Sequence, residues 1–418
     1  MTGLAEALPS PGERTRIRGP LRRLLVTLVP ADFALFAVYG AVPAVMLPVQ
    51  VDAIDPARKV ANLALVTTIG AVAALVAQPV AGTISDRTRT RFGRRAPWIV
   101  LGALAGGLSL TGLALANGIA QIAIAWAAAQ VAYNFAQGPL TAILPDRVPA
   151  RALGTFAAVA GLAAMIAAIG GQGIGAAFAH HLGAGYVLLA GLAISMLALF
   201  VIVNPDQSSR GDQARPFRLA DFARTFWVSP VAHPDFFWAF TGRLLLYTGF
   251  FSVYGYDLYI LQDYVGLGGS AVRYVAVLGA MSLIGMLPAI AICGPLSDRL
   301  GRRKIFVFTS SVLVGAALLI PIARPTLAGM MVMSVVAGAG FGAFQSVDQA
   351  LMTQVLPGSQ TYAKDLGVVN IAATLPQALA PAVGGAVVVL LGYHGLFTIG
   401  LVLSVLGSFA VFFIRSVR

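Results

Sequence analysis

Apolar residues arrive along this chain in stretches of about 20, each closed by a short cluster of charge, proline or glycine. At 1.5 Å per residue, such a stretch crosses a hydrocarbon core ~30 Å thick. Twelve spans can be read, at 24–48, 60–82, 97–116, 120–143, 153–178, 184–203, 236–261, 271–293, 305–323, 326–352, 366–391 and 395–414. Pro30, Pro43, Pro48, Pro79, Pro288, Pro376 and Pro381 lie in or near them. Membrane helices tolerate such breaks where neighbours satisfy the freed carbonyls. The pattern predicts an all-α polytopic membrane protein with kinked helices.

Composition agrees with the pattern, and charge adds an orientation. Of 418 residues, 58% are hydrophobic and 11% are charged, less than half of the ~25% charge of a soluble domain. A net charge of +12 would suggest a nucleic-acid partner in a soluble protein, so its placement matters. With the spans alternating, 23 of the 28 Lys and Arg fall on the side of the amino terminus, four (Arg58, Lys59, Arg273, Arg324) fall opposite, and Arg243 lies inside a span. The positive-inside rule puts both termini in the cytoplasm of a plasma (inner) membrane protein. The basicity then answers to anionic lipid in the bilayer and not to nucleic acid. Residues 1–20 lack an apolar run and read as a cytoplasmic tail and not as a cleavable signal. The single Cys293 excludes an intrachain disulfide, and four scattered histidines offer no metal site.

The chain repeats itself. Ser85 and Ser297 are 212 residues apart, and the same offset relates Gln50 to Gln262, Gln137 to Gln349, and Leu144-Pro145 to Leu356-Pro357. The expected organisation is a tail (1–23), a six-helix bundle (24–204), a polar central loop (205–234), a second six-helix bundle (235–414) and a short tail (415–418). Parallel repeats are the plan of a transporter that rocks two halves about a midplane site.

The most conspicuous repeated segments are basic. "GTISDRTRTRFGRR" contains Gly82, Ser85, Asp86, Arg87, Gly93, Arg94 and Arg95; "GPLSDRLGRR" contains Gly294, Ser297, Asp298, Arg299, Gly301, Arg302 and Arg303. Asp86 ends a helix, and the arginines are placed to pair with it, with phosphates or with helix-end carbonyls. G-x-x-S-D-R-x-G-R-R between the second and third helix of each half resembles the signature of the Major Facilitator Superfamily over essentially the whole chain. The longer first copy, with "LPDRVP", "LQDYVGL" and "KDLGVVNIAATLPQALAP", is similar to the glycoside-pentoside-hexuronide branch and its proton-coupled sucrose relatives. That resemblance implies alternating access, a monomer, and a basic loop that latches the halves in one state. It also implies that spans 1, 4, 7 and 10 line a central cavity. The alternative is that the loop only fixes topology.

Ionisable groups at membrane depth are costly and are functional candidates by default. Asp32 stands eight residues into the first span with no basic residue at its level, which suits a proton carrier; the alternative is an Asp reaching water at the cytoplasmic end. Arg243 in span seven and Asp348 in span ten share a depth at which they would pair, for transport or for structure alone. Asp348 is the second proton-coupling candidate. Asp257 is expected at the outer interface.

Uncharged polar residues form stripes at helical spacing: Gln130, Asn134, Gln137 and Thr141 on span four, Gln345, Asp348 and Gln349 on span ten, and Asn370, Thr374 and Gln377 on span eleven. They are candidates for hydrogen bonding to a substrate, or for interhelical bonds. Tyr247 and Tyr254 belong to an aromatic run that would stack a sugar ring or simply pack. No loop contains a nucleotide-binding motif, so an ion gradient is expected to supply the energy, with no cofactor. The sodium carriers of the resembled branch hold sodium with carboxylates on the second helix. Residues 61–81 contain none, which favours protons. The branch's carboxylate on helix four is likewise replaced by amides. The reading is proton-coupled symport of a sugar or small glycoside; the alternatives are a proton-antiport exporter of an amphiphilic metabolite or antibiotic, and a membrane sensor or enzyme that transports nothing. No paired catalytic constellation argues for an enzyme.

Overall fold

A computed structural model describes residues 19–210, 233–355 and 362–415. The Leu356-Pro357 pair, most of the central loop and the chain ends lie outside the described residues, as does the side chain of Asn370. The described residues are all-helical, without strands.

Helix α1 (Pro20–Ile54) contains a π turn at Val42–Met46. Pro43 has no N–H to donate, and the chain absorbs the loss by widening one turn, with Leu47 N–H bonding Val42 O. Then follow α2 (Lys59–Arg87), α3 (Ala96–Ala114), α4 (Ile119–Arg147), α5 (Ala150–Ala177) and α6 (Leu182–Val203). The second series is α7 (Pro234–Tyr254), α8 (Val272–Leu300), α9 (Arg303–Ala323) and α10 (Leu327–Gln354). A last helical stretch, Tyr362–Ala410, turns at Gly392, whose φ of +69° suits glycine alone. Gly392 divides it into α11 (362–391) and α12 (393–410).

The chain expected to be helical to residue 261 in span seven is not. α7 closes with Gly255 N–H on Phe251 O, and a short helical turn Asp257–Tyr259 and a π turn Ile260–Tyr264 follow.

Within the first series α1 packs on α5 and α6, and α4 on α2 and α3. Within the second, α8 and α9 pack on α10, and the last helical stretch on α7 and α9. The two series meet through α2 against that last stretch and α5 against α8. Small residues allow these approaches: a Cβ on Gly40 would lie 1.9 Å from the carbonyl oxygen of Ala168. On the rim of the bundle, Leu104, Leu108, Ile124, Ile202, Leu390 and Leu391 are exposed, as a surface facing acyl chains requires.

Candidate functional site

Between the two series lies a cavity of about 450 Å³. Its wall is built from four helices: Phe36, Tyr39 and Pro43 of α1, Thr67, Ala71 and Gln78 of α2, Trp126, Gln130, Asn134 and Gln137 of α4, and Thr374, Gln377 and Pro381 of α11. None of the described residues that line it is ionisable at neutral pH, so these offer amides, hydroxyls and ring faces. Tyr39 donates to Gln137 Oε1 at 3.2 Å, and Asn134 Nδ2 donates to Gln130 O at 2.8 Å. Gln130 Oε1 is buried with no hydrogen-bond partner among the described residues, an acceptor left open beside the cavity. Buried amide oxygens are seldom left so.

Five residues picked from the polar stripes, Gln130, Asn134, Gln137, Thr374 and Gln377, therefore stand on one wall. Sequence reasoning missed Phe36, Tyr39, Gln78 and Trp126. Tyr39 was within reach of it, since it lies seven residues after Asp32 on the same helical face.

The second half arranges its candidates differently. Arg243 Nε lies 3.0 Å from Asp348 Oδ2, with the side chains 4% and 2% exposed. The contact is one of charge and not an aligned hydrogen bond: among the described residues neither of these two atoms, nor Arg243 Nη1, has a hydrogen-bond partner. Arg243 Nη2 donates to Gln349 Oε1 at 3.2 Å, and the guanidinium sits 5.4 Å from the Tyr247 ring centre. Tyr247 is buried against Phe341 and Phe344. Tyr254 stacks on Phe250 at 4.1 Å and reaches Ser282 Oγ at 3.3 Å. The aromatic run is thus a packed stack joining α7 to α10. Gln345 is exposed on α10 and is not among the residues lining the cavity.

Asp32 is 6% exposed on α1 and forms no described ion pair or hydrogen bond. Its repeat equivalent, 212 residues on, is Leu244. Asp257, expected at the outer interface, lies in the turn that follows α7 at the distal end, with its side chain 7% exposed.

The first basic loop is anchored at the end of the molecule from which α1 starts. Arg95 is its hub: Nη2 lies 2.7 Å from Asp86 Oδ1, Nε 3.1 Å from Asp146 Oδ2, and Nη1 donates to Ser85 Oγ at 3.1 Å. Arg94 pairs with the other oxygen of Asp146 at 2.9 Å. Asp206, at the start of the central loop, accepts from the backbone N–H of Arg94 and Arg95 and pairs with Arg147 at 2.7 Å. Gly93, with φ of +86°, leaves room for that carboxylate, which a Cβ would meet at 2.3 Å. In the shorter second copy, Arg303 pairs with Asp298 at 2.7 Å and Gly301 ends α8 in the left-handed region. These contacts lie within one half or between it and the central loop. Asp206 escaped the sequence reading; its one signal was an acid after a helix end in "NPD".

The opposite, distal end joins the halves. Lys59 Nζ lies 2.9 Å from Asp263 Oδ1, 3.4 Å from Gln262 Oε1 and 3.6 Å from Asp52, and 4.8 Å from the Tyr259 ring centre. Tyr259 donates to Pro48 O across the same seam at 2.9 Å. Gln50, the partner of Gln262 in the repeat, is instead consumed inside its own half by Leu113 O and Tyr186.

Two helical series packed around a seam, a cavity at mid-depth and paired basic loops define a solute carrier of the membrane. The chain belongs to the Major Facilitator Superfamily: the model of that family matches residues 24–292 and, overlapping them, 256–418. Among solved structures it is similar to a mutant of the nucleoside transporter NupG, at 15% identity and a TM-score of 0.72, over 93% of this chain and 99% of that one. It is also similar to a bacterial homologue of the human lysosomal transporter Spinster in an inward-facing, unoccupied conformation. There the identity is 15% and the TM-score 0.63, over 95% of each chain. No curated protein matches the chain by sequence. Family and neighbours make it a transporter and not an enzyme.

Proposed function

We propose that this carrier imports a sugar or small glycoside together with protons, by alternating access of the cavity between its halves. The observation that carries the reading is the cavity wall: about 450 Å³ bounded by amides, hydroxyls and the rings of Phe36, Tyr39 and Trp126, with no fixed charge among the described residues that line it. An uncharged solute with ring faces and many hydroxyls matches that wall, whereas an ion would enter it without a counter-charge. Asp32 and Asp348 are the proton-coupling residues of this reading. Asp32 has the stronger claim, since Asp348 is held by Arg243. Sodium is the less favoured ion, as α2 contains no carboxylate between residues 61 and 81. The carrier works as a monomer in the plasma membrane with both termini cytoplasmic, the side that the excess of Lys and Arg marks.

A second reading rests on the same rings. An amphiphilic metabolite or antibiotic would stack on Trp126 and Phe36, and exchange for protons would export it. A nucleoside, the solute named for one structural neighbour, also combines a ring face with hydroxyls.

Uptake of labelled sucrose, maltose, melibiose and uridine into proteoliposomes under an imposed pH step tests the reading. Accumulation that a protonophore abolishes and that Asp32→Asn loses supports it. If no sugar moves under any gradient, the sugar assignment is wrong; if sugar moves equally well in Asp32→Asn, the proton rides elsewhere.

A further inference from the structure

Asp257 occupies the short turn after α7, buried at the distal end, and its Oδ1 has no hydrogen-bond partner among the described residues. The turn touches α8 and, across the seam, the π turn Val42–Met46 of α1. That π turn reads VPAVM and brings no titratable group to the carboxyl. The distal start of α8 carries Arg273 and Tyr274, and among the described residues neither bonds Asp257. Its own segment is committed elsewhere: Tyr254 to Ser282, Tyr256 to Pro381 O, Tyr259 to Pro48 O, Tyr264 to Pro321 O, and Asp263 to Lys59 and Tyr393.

The repeat shows that packing alone does not ask for an acid here. The position 212 residues earlier is Val45, fully buried in the first half. At the matching sequence positions one half has an aliphatic side chain, and the other has a carboxyl with no partner among the described residues. Burying an ionised carboxylate without a counter-charge is heavily penalised, and a neutral acid escapes that penalty.

We propose that Asp257 is a second proton-binding site, sealed into the seam while the halves are closed at the distal end and opened to water when they part. The carboxylate takes a proton from a hydronium ion in the distal water, an O–H bond of the hydronium breaking as that of the carboxyl forms and water leaving, and closure of the seam requires that proton to be in place. The proposal rests on the proton-coupled reading of the carrier.

Two transport modes separate the possibilities in proteoliposomes: accumulation driven by a proton gradient, and counterflow of the same solute, which needs no gradient. Asp257→Asn and Asp257→Val, the latter copying the repeat, are expected to keep counterflow while accumulation falls to the level without a gradient. Variants that accumulate solute as the wild type does overturn the role of Asp257 alone, and so does loss of counterflow in folded variants, which marks a packing or solute-binding residue. A wild type that never responds to a proton gradient refutes the coupling reading itself, and this role with it. A measurement on unaltered protein guards against misfolded variants. Dicyclohexylcarbodiimide is apolar, and a protonated carboxyl adds to its central carbon while the acid's proton passes to a carbodiimide nitrogen, so peptide mapping should find it on Asp257, less as pH rises; no modification at any pH overturns the proposal.

Discussion

Lys59 at the head of α2 and Asp263 in the π turn after α7 lie 2.9 Å apart and tie the two halves together at their distal end. Their side chains are 16% and 39% exposed, so the pair is partly screened by water. Pairs of this kind are worth at most about 1 kcal/mol, yet a closed-to-open balance responds about fivefold to that amount. Tyr259 under the ammonium and Tyr393 on the carboxylate add to the tie.

Removing the charge at either end, by Lys59→Gln or Asp263→Asn, should therefore open the distal end more often. The readout is thiol labelling from the distal side of a cysteine placed in the cavity at Ala71, with Cys293 first changed to Ser. The charge swap Lys59→Asp with Asp263→Lys should return labelling toward the starting rate. Equal labelling in all four proteins would show that the pair holds nothing closed.

The Arg243–Asp348 pair is far more deeply buried, and its loss should be felt as instability. Removing one partner leaves the other's charge in the packed interior of the second half, at a cost of about 3–5 kcal/mol. Asp348→Asn or Arg243→Met should lower the thermal midpoint in detergent strongly. The double variant Arg243→Met with Asp348→Leu should recover most of the loss, because two apolar side chains of similar bulk leave no charge behind. A double variant as unstable as the singles would mean that the pair's geometry, and not its unpaired charge, holds α7 to α10.

Much of this architecture was legible in the sequence because the bilayer allows few solutions. Twenty apolar residues have to be a spanning helix, and the depth of Arg243 and Asp348 followed from counting along helices. The stripe on span four was readable because one face of a helix is set by its 3.6-residue period. Legibility failed where the chain leaves that period. Counting placed Asp257 at the outer interface, but it could not show that the helix breaks at Gly255 and that the turn behind it touches the π turn of α1 across the seam. The aromatic run of α7 could be read as a sugar platform or as packing, and Phe341 of α10, invisible to any local reading, stacks on Phe250 at 4.1 Å and favours packing. Asp206 was missed because its partners, Arg94, Arg95 and Arg147, come from elements more than fifty residues away.

Glycine positions give a paired test of the close approach of α1 to α5. A Cβ on Gly40 would collide with the backbone oxygen of Ala168 at 1.9 Å, and no side chain can move aside to admit it. Gly40→Ala should cost about 1–3 kcal/mol by forcing the helices apart. Gly161, in the middle of α5, has nothing within 4 Å of its Cβ position. Gly161→Ala should be neutral or gain up to about 1 kcal/mol, since glycine inside a helix costs roughly that much relative to alanine. Thermal midpoints of the two variants that move together would contradict the packing described.

Tyr39 holds Gln137 across the cavity wall, and this bond makes a prediction about the solute and not about stability. Tyr39→Phe keeps the ring and removes only the donor to Gln137 Oε1. The freed amide should then turn away from the solute, raising KM while expression and thermal midpoint stay unchanged. An unchanged KM would place the solute elsewhere in the cavity.

The anchoring of the basic loop leads to the last prediction. Asp206 accepts from two backbone N–H groups of the loop and pairs with Arg147 at the end of α4. Asp206→Ala leaves those donors without their acceptor and empties the space that Gly93 keeps open. The loop between Thr88 and Arg95 contains arginines at 89 and 91, so a loosened loop becomes a trypsin substrate. Asp206→Ala should be cut there faster than the wild type at the same trypsin concentration. Asp86→Asn, which weakens only one of several contacts of Arg95, should keep near wild-type resistance to trypsin while transport falls. If Asp206→Ala resists trypsin as well as the wild type does, the ion pairs of Arg95 with Asp86 and Asp146 hold the loop by themselves, and the central loop plays no part in placing it.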